Sequence, residues 1–138
     1  MNYDLVWKYS SEEGYLYTLD KRNDNDNFFE LYSPEDDGKI ENLSYLKFIN
    51  IPSILNVLDL RYKKDKIYTF NGEVLISINP FKTINNLYFK INDIDVKIPH
   101  IYSIAEKAFR GFNSKNQSIL VSGESGSGKT ENTKYILK

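Results

Sequence analysis

Gly123-Glu124-Ser125-Gly126-Ser127-Gly128-Lys129-Thr130 decides how this chain is read. It matches G-x-x-x-x-G-K-[ST], a glycine-rich loop whose successive backbone N–H groups surround phosphate oxygens. Its three glycines allow positive φ and a close backbone approach with no Cβ in the way. A helix that follows such a loop adds unpaired N-terminal N–H groups and partial positive charge. In that pattern Lys129 reaches the β- and γ-phosphate oxygens. The Thr130 hydroxyl is the expected Mg²⁺ ligand, because Mg²⁺ takes oxygen ligands and shares them with phosphates. The flanks fit the pattern. Ser118-Ile119-Leu120-Val121 reads as a short buried strand, and residues 131–137 read as a helix. The motif therefore implies a bound nucleoside triphosphate.

Composition narrows the class. The chain has 138 residues, enough for one ordinary domain, and is 41% hydrophobic and 27% charged, which suits a folded protein. A net charge of −1 points to neither nucleic acid nor an anionic membrane as partner. There is no cysteine, so neither a disulfide framework nor a thiolate metal site is available. No apolar run is long enough to insert in a membrane, and the start lacks a signal-peptide pattern. The expectation is a cytoplasmic protein.

Upstream of the loop, residues 5–43 read as small β structure. Tyr15–Leu19 and Phe28–Tyr32 are aromatic and β-prone, separated by the polar turn 21–27. Residues 50–62 read as a helix capped by Asn50 or Ser53, with Ile51, Ile54, Leu55, Leu58 and Tyr62 near one face. Lys63-Lys64-Asp65-Lys66 reads as a solvated loop. Ile67–Phe70 and Glu73–Ile78 flank Asn71-Gly72, the signature of a type I′ hairpin turn. Proline ends the second strand at Asn79-Pro80-Phe81. Residues 99–112 read as a helix with Pro99 in its first turn and a stripe of Ile101, Ile104, Ala105, Ala108 and Phe112. His100, the single histidine, is expected to be hydrogen-bonded and structural.

Taken in order, these blocks resemble the myosin motor domain. Glu41–Leu46 with Ile51–Leu58 is similar to the family's entry helix. Ile67–Gly72 and Val74–Phe81 are similar to its first two strands and its purine-binding loop. Pro99–Ala105 resembles the helix before the nucleotide strand, and Asn116–Ser122 leads into the glycine loop and Glu131-Asn132-Thr133. The resemblance implies an α/β fold: a P-loop NTPase motor core (residues 45–138) with an incomplete central sheet, preceded by a small SH3-like β-barrel (residues 1–44). It implies ATP with Mg²⁺ as ligand. Asn79 and Pro80 would border the adenine. The family's tyrosine in this region stands one place later, at Tyr88, with Leu87 in its usual position. Ser127 replaces a common alanine and is small enough for the cradle. Ser125 would lie near the γ-phosphate and its attacking water, beside Lys129 as a catalytic group, while Glu124 would steady the loop.

The family's switch motifs, actin-binding cleft and lever arm lie downstream of the nucleotide helix. The expectation is therefore an N-terminal fragment of a myosin heavy chain, inactive alone. Its parent would be an actin-activated ATPase of the cytoskeleton that contacts actin filaments and light chains through other parts. Two alternatives stay open at this point: another P-loop nucleotide-binding protein, and a non-catalytic remnant.

Overall fold

The computed structural model of the chain describes residues 4–12, 14–20, 28–29, 39–85, 87 and 95–138. These residues combine helices with two small antiparallel sheets. The first sheet is β1 (Asp4–Ser10), β2 (Gly14–Asp20) and β3 (Phe28–Phe29), in the order β2-β1-β3. Closure of a barrel would involve residues 30–38, which lie outside the described residues. Trp7 on β1 is buried and donates from its indole Nε1 to Ser53 Oγ at 3.1 Å, which docks this sheet on the first helix. Burying an indole leaves its N–H in need of an acceptor, and Ser53 supplies it.

That helix, α1 (Ile51–Tyr62), starts at the first of the two caps the sequence offers: Asn50 is extended and its side chain accepts from Ser53 N at 2.9 Å. The buried face differs from the predicted stripe. Ile51 and Leu55 are exposed, while Pro52, Ser53, Val57 and Arg61 are buried. The reason is Arg61. Its guanidinium donates to Thr69 Oγ1 at 2.9 Å, to Ile40 O at 3.1 Å and to Tyr68 O at 2.9 Å, and this fan of bonds sets the rotation of the helix. Burial lowers the Arg61 pKa, with Glu41 opposing. Past the helix, residues 63–66 are exposed as expected, and Asp65 turns the chain at φ +58° while Lys66 N reaches back to Arg61 O.

The hairpin follows as β4 (Tyr68–Asn71) and β5 (Val74–Ser77). The predicted turn moves by one residue. Asn71 pairs with Val74, so the central turn residues are Gly72 and Glu73, and only Gly72 has positive φ, at +60°. Glycine at the first central position is the II′ pattern, not I′. The observed register sets Phe70 opposite Leu75, where the Asn71-Gly72 turn would have set it opposite Glu73. Apolar pairing across the ladder outweighs the Asn-Gly signal.

Alternation along the hairpin makes it a middle layer. Ile76, the partner of Thr69, faces the cluster of Leu43, Leu46 and Val57 on the α1 side. Tyr68 and Leu75 face the second cluster with Ile101 and Tyr102 of helix α2 (Ile101–Phe112) and Tyr135 and Ile136 of helix α3 (Lys129–Ile136). Pro99 precedes α2 rather than sitting in its first turn, and His100 is the cap: its Nδ1 accepts from Tyr102 N at 3.1 Å. The other ring nitrogen, Nε2, bonds Leu87 O at 2.9 Å, so His100 is neutral with its proton on Nε2. Of the predicted α2 stripe, Ile101 is buried, but Phe112 is 66% exposed.

Residues 118–122 correct a second expectation. They are not a strand, because none of the described strands pairs with them. Ile119 and Val121 are half-buried while Ser118, Leu120 and Ser122 are exposed, the alternation of an extended chain without a ladder. A cleft of about 420 Å³ separates them from Val74, Leu75 and Ser77 of β5. Without backbone partners, a two-residue period alone does not make a strand. Among the described residues, no helix is long and apolar enough to cross a membrane.

Two outcomes are expected. Arg61→Ala strands three acceptors in the interior and should destabilise the chain by about 3 kcal/mol or more, read from urea unfolding. Arg61→Lys should recover little, since an ammonium lacks the planar fork. Burial lowers the His100 pKa, with the Leu87 bond opposing. Its contribution is thus complete above the unfolded value of about 6.5 and is lost as pH falls through the lower folded value. The melting temperature should fall on acidification from about pH 7.5 to 5.5. His100→Asn, which keeps a cap but does not titrate, should flatten that fall.

Candidate functional site

The glycine loop runs from residue 123 to the start of α3. Gly123, Gly126 and Gly128 have φ of +151°, +80° and +92°, conformations that L side chains rarely adopt. A Cβ at Gly123 would come within 2.6 Å of Ser127 Oγ, so the loop is also too tight there for a side chain. Gly128 occupies the cap of α3 with no side-chain cap bond of its own. The seryl group at 127 is accommodated, with its N donating to Glu124 O at 3.2 Å.

Carbonyls of the loop are held by side chains. Lys129 Nζ donates to Gly123 O at 2.7 Å and to Glu124 O at 2.6 Å. Asn79 Nδ2 donates to Gly126 O at 2.7 Å. Asn132 Nδ2 donates to Gly128 O at 3.1 Å, and the Asn132 N–H donates to the same oxygen at 3.0 Å. Each carbonyl oxygen only accepts, so both amides must turn their nitrogen toward the loop. Thr130 is exposed on the first turn of α3, and Ser125 and Glu124 are exposed on the loop. Glu131, also in that first turn, pairs with Lys134 at 2.6 Å.

The segment 79–82 is brought against this loop. Asn79 Oδ1 accepts from Phe81 N at 3.0 Å, an Asx turn that carries Phe81 into φ +50°. Tyr62 OH donates to Pro80 O at 3.2 Å, and Lys82 pairs with Asp65 at 2.5 Å. The Asp65 carboxylate, chiefly by its hydrogen bond, raises the Lys82 pKa. Between residues 79–84 with Leu87, the hairpin and α3 lies a cleft of about 270 Å³. Its lining includes Asn79, Pro80, Ile84, Leu87, Gly128 and Tyr135. Its lining mixes apolar side chains with polar groups, among them Ser127 and Gly128 of the loop, a form that can take a planar ring with a polar tail.

Of the residues singled out in the sequence, the structure brings together Asn79, Pro80 and the loop 123–130. Tyr88 lies outside the described residues. Sequence reasoning missed Asn132, Tyr68 and Ser77. A signal for Asn132 was present: a poor helix former placed four residues after the last loop glycine, where a helix brings it back to that glycine's carbonyl. Among the described residues no cluster of three or more His, Cys, Asp or Glu could hold a metal. A Mg²⁺ ion here would depend on Thr130 and on oxygens of the ligand itself.

A sequence model described as "Myosin head (motor domain)" matches residues 40–138. The chain is 45% identical over 124 residues to the myosin-M heavy chain of Dictyostelium discoideum, covering 83% of this chain and 7% of that protein. It is 38% identical over 120 residues to human unconventional myosin-VI, covering 79% and 9%. It is 41% identical over 107 residues to Schizosaccharomyces pombe myosin-52, covering 71% and 7%. The chain therefore spans less than a tenth of the length of these relatives. From the matched blocks and the loop they contain, the chain belongs to the myosin head (motor domain) family.

Proposed function

We propose that this chain is the nucleotide-binding N-terminal part of an actin-based motor that couples MgATP hydrolysis to movement on actin filaments. The observation that carries the proposal is the convergence of two segments far apart in sequence: Asn79 holds Gly126 O at 2.7 Å, and a ring-sized cleft opens beside the loop. The finer fold is part of the same reading. Residues 1–44 form an SH3-like β subdomain, and residues 45–138 form the first part of a P-loop core whose sheet is completed by other strands of the whole protein.

The residues fit the ligand. The tight positive-φ turns at Gly123, Gly126 and Gly128 leave a cradle lined by backbone. In this reading Lys129 trades its two carbonyl partners for β- and γ-phosphate oxygens, a charge-assisted exchange. Thr130 Oγ1 ligates Mg²⁺. Ser125 orients the γ-phosphate end, and Glu124 steadies the loop. Asn79, Pro80 and Tyr88 border the adenine. When bound, MgATP supplies the phosphoanhydride bond and the cation that balances its charge. The residues of this chain bind and orient it. Turnover, actin filaments and light chains are assigned to the whole motor, in the cytoplasm on the cytoskeleton, without nucleic acid or membrane insertion. An unrelated P-loop kinase would have no reason for the myosin-like segments 41–81.

Lys129→Ala should weaken MgATP binding by on the order of 3 kcal/mol, about 100-fold. Calorimetric titration checks this, and affinity within twofold of wild type would contradict the assignment. Thr130→Val should weaken binding in Mg²⁺ and leave binding in EDTA unchanged. For the whole motor, steady-state ATPase with and without filamentous actin tests the larger reading; absence of stimulation counts against it.

A further inference from the structure

Asn132 stands in the middle of the eight-residue helix α3, where asparagine is a poor choice for helix stability. Its side-chain amide makes three hydrogen bonds. Oδ1 accepts from Tyr68 OH at 3.0 Å, and Nδ2 donates to Ser77 Oγ at 3.1 Å and to Gly128 O at 3.1 Å. Tyr68 and Ser77 are directly opposite each other across the β4–β5 ladder. One amide thus ties a single rung of the hairpin to the last carbonyl of the glycine loop. The same carbonyl accepts the Asn132 backbone N–H. Gly128 sits at φ +92°, and the rotation of its peptide sets the direction of the N–H group that follows, on Lys129. Asn132 lines both clefts, the one beside residues 79–84 with Leu87 and the one beside residues 118–122.

We propose that Asn132 is a positioning residue, which sets the loop in register with the hairpin so that the phosphate cradle and the base cleft serve one ligand. The proposal rests on the nucleotide-binding reading above. Asn132 borders the base cleft, but both of its Nδ2 protons are committed to Ser77 Oγ and Gly128 O, so it acts through the Gly128 peptide. Its removal should therefore affect a ligand that carries phosphates and spare one that does not. Tyr68 OH and Ser77 Oγ act in the same chain of bonds, so their loss should be coupled to its loss.

The test uses the full 138-residue chain, with MgATP binding followed by calorimetry and adenosine binding by NMR titration, below the melting temperature of each variant. Asn132→Ala is expected to weaken MgATP about tenfold and adenosine less than twofold. Tyr68→Phe, which keeps the ring and removes the hydroxyl, is expected to weaken MgATP about threefold alone. In the Asn132→Ala background it should have no further effect, the mark of a shared interaction. If Asn132→Ala does not fold, Tyr68→Phe and Ser77→Ala carry the same contrast between MgATP and adenosine. Equal losses for both ligands, or no loss of MgATP affinity, would overturn the proposal. Wild type binding MgATP no better than Lys129→Ala would instead show that the nucleotide reading itself is wrong, and the proposal would go with it.

Discussion

Alternation along β4 is the constraint on which the packed part of the chain depends. Thr69 faces one side of the hairpin and receives Arg61 of α1. Tyr68 faces the other and meets His100 edge-on at 5.0 Å, with its hydroxyl on Asn132. Successive residues of a strand must point to opposite faces, so a four-residue strand joins α1 to α2 and α3. The buried guanidinium makes this joint specific. It has no hydrogen-bonded carboxylate among its three partners, only a hydroxyl and two carbonyls in positions that a planar fork can reach. Burying a charge in this way is tolerated only when its donors are satisfied. That requirement holds Ile40, Thr69 and Tyr68 in fixed relation to the helix.

The glycine loop inherits its orientation from the same hairpin. Asn79 leaves the end of β5 and holds Gly126, and Asn132 on α3 returns to Ser77 and Tyr68. The bonds from Asn79, Asn132 and Lys129 fix four carbonyls of the loop, and the positive φ of its three glycines fixes the turns between them. The site is accordingly built from two asparagines, a lysine and glycines rather than from a cluster of charges. Pro80, Ile84 and Tyr135 of α3 are among the residues that line the cleft beside it.

Much of this was legible in the residues. The G-x-x-x-x-G-K-T pattern, a cap for α1 at Asn50 or Ser53, the hairpin and the order of blocks that resemble a myosin motor domain could all be named from the chain. So could a hydrogen-bonded, structural role for His100, though its place as the α2 cap came only from the structure. Other readings failed for identifiable reasons. The Asn71-Gly72 turn lost to the pairing of Phe70 with Leu75. The α1 stripe was drawn from apolar residues alone, while the face that is buried contains Ser53 and Arg61, each satisfied by a partner from another element.

The sequence by itself determined what a few neighbouring residues can settle: where glycine permits a left-handed turn, where a helix is capped, and which stretch carries the G-x-x-x-x-G-K-T pattern. Only the tertiary structure decided which face of α1 is buried, where the hairpin turns, and that residues 118–122 pair with none of the described strands. It also decided that Asn132 joins the loop to the hairpin. The physical reason is the same in each case. A cap or a tight turn is closed by bonds within about four residues. Burial, register and a bond such as Tyr68 to Asn132, which spans 64 positions, depend on what the rest of the chain brings alongside.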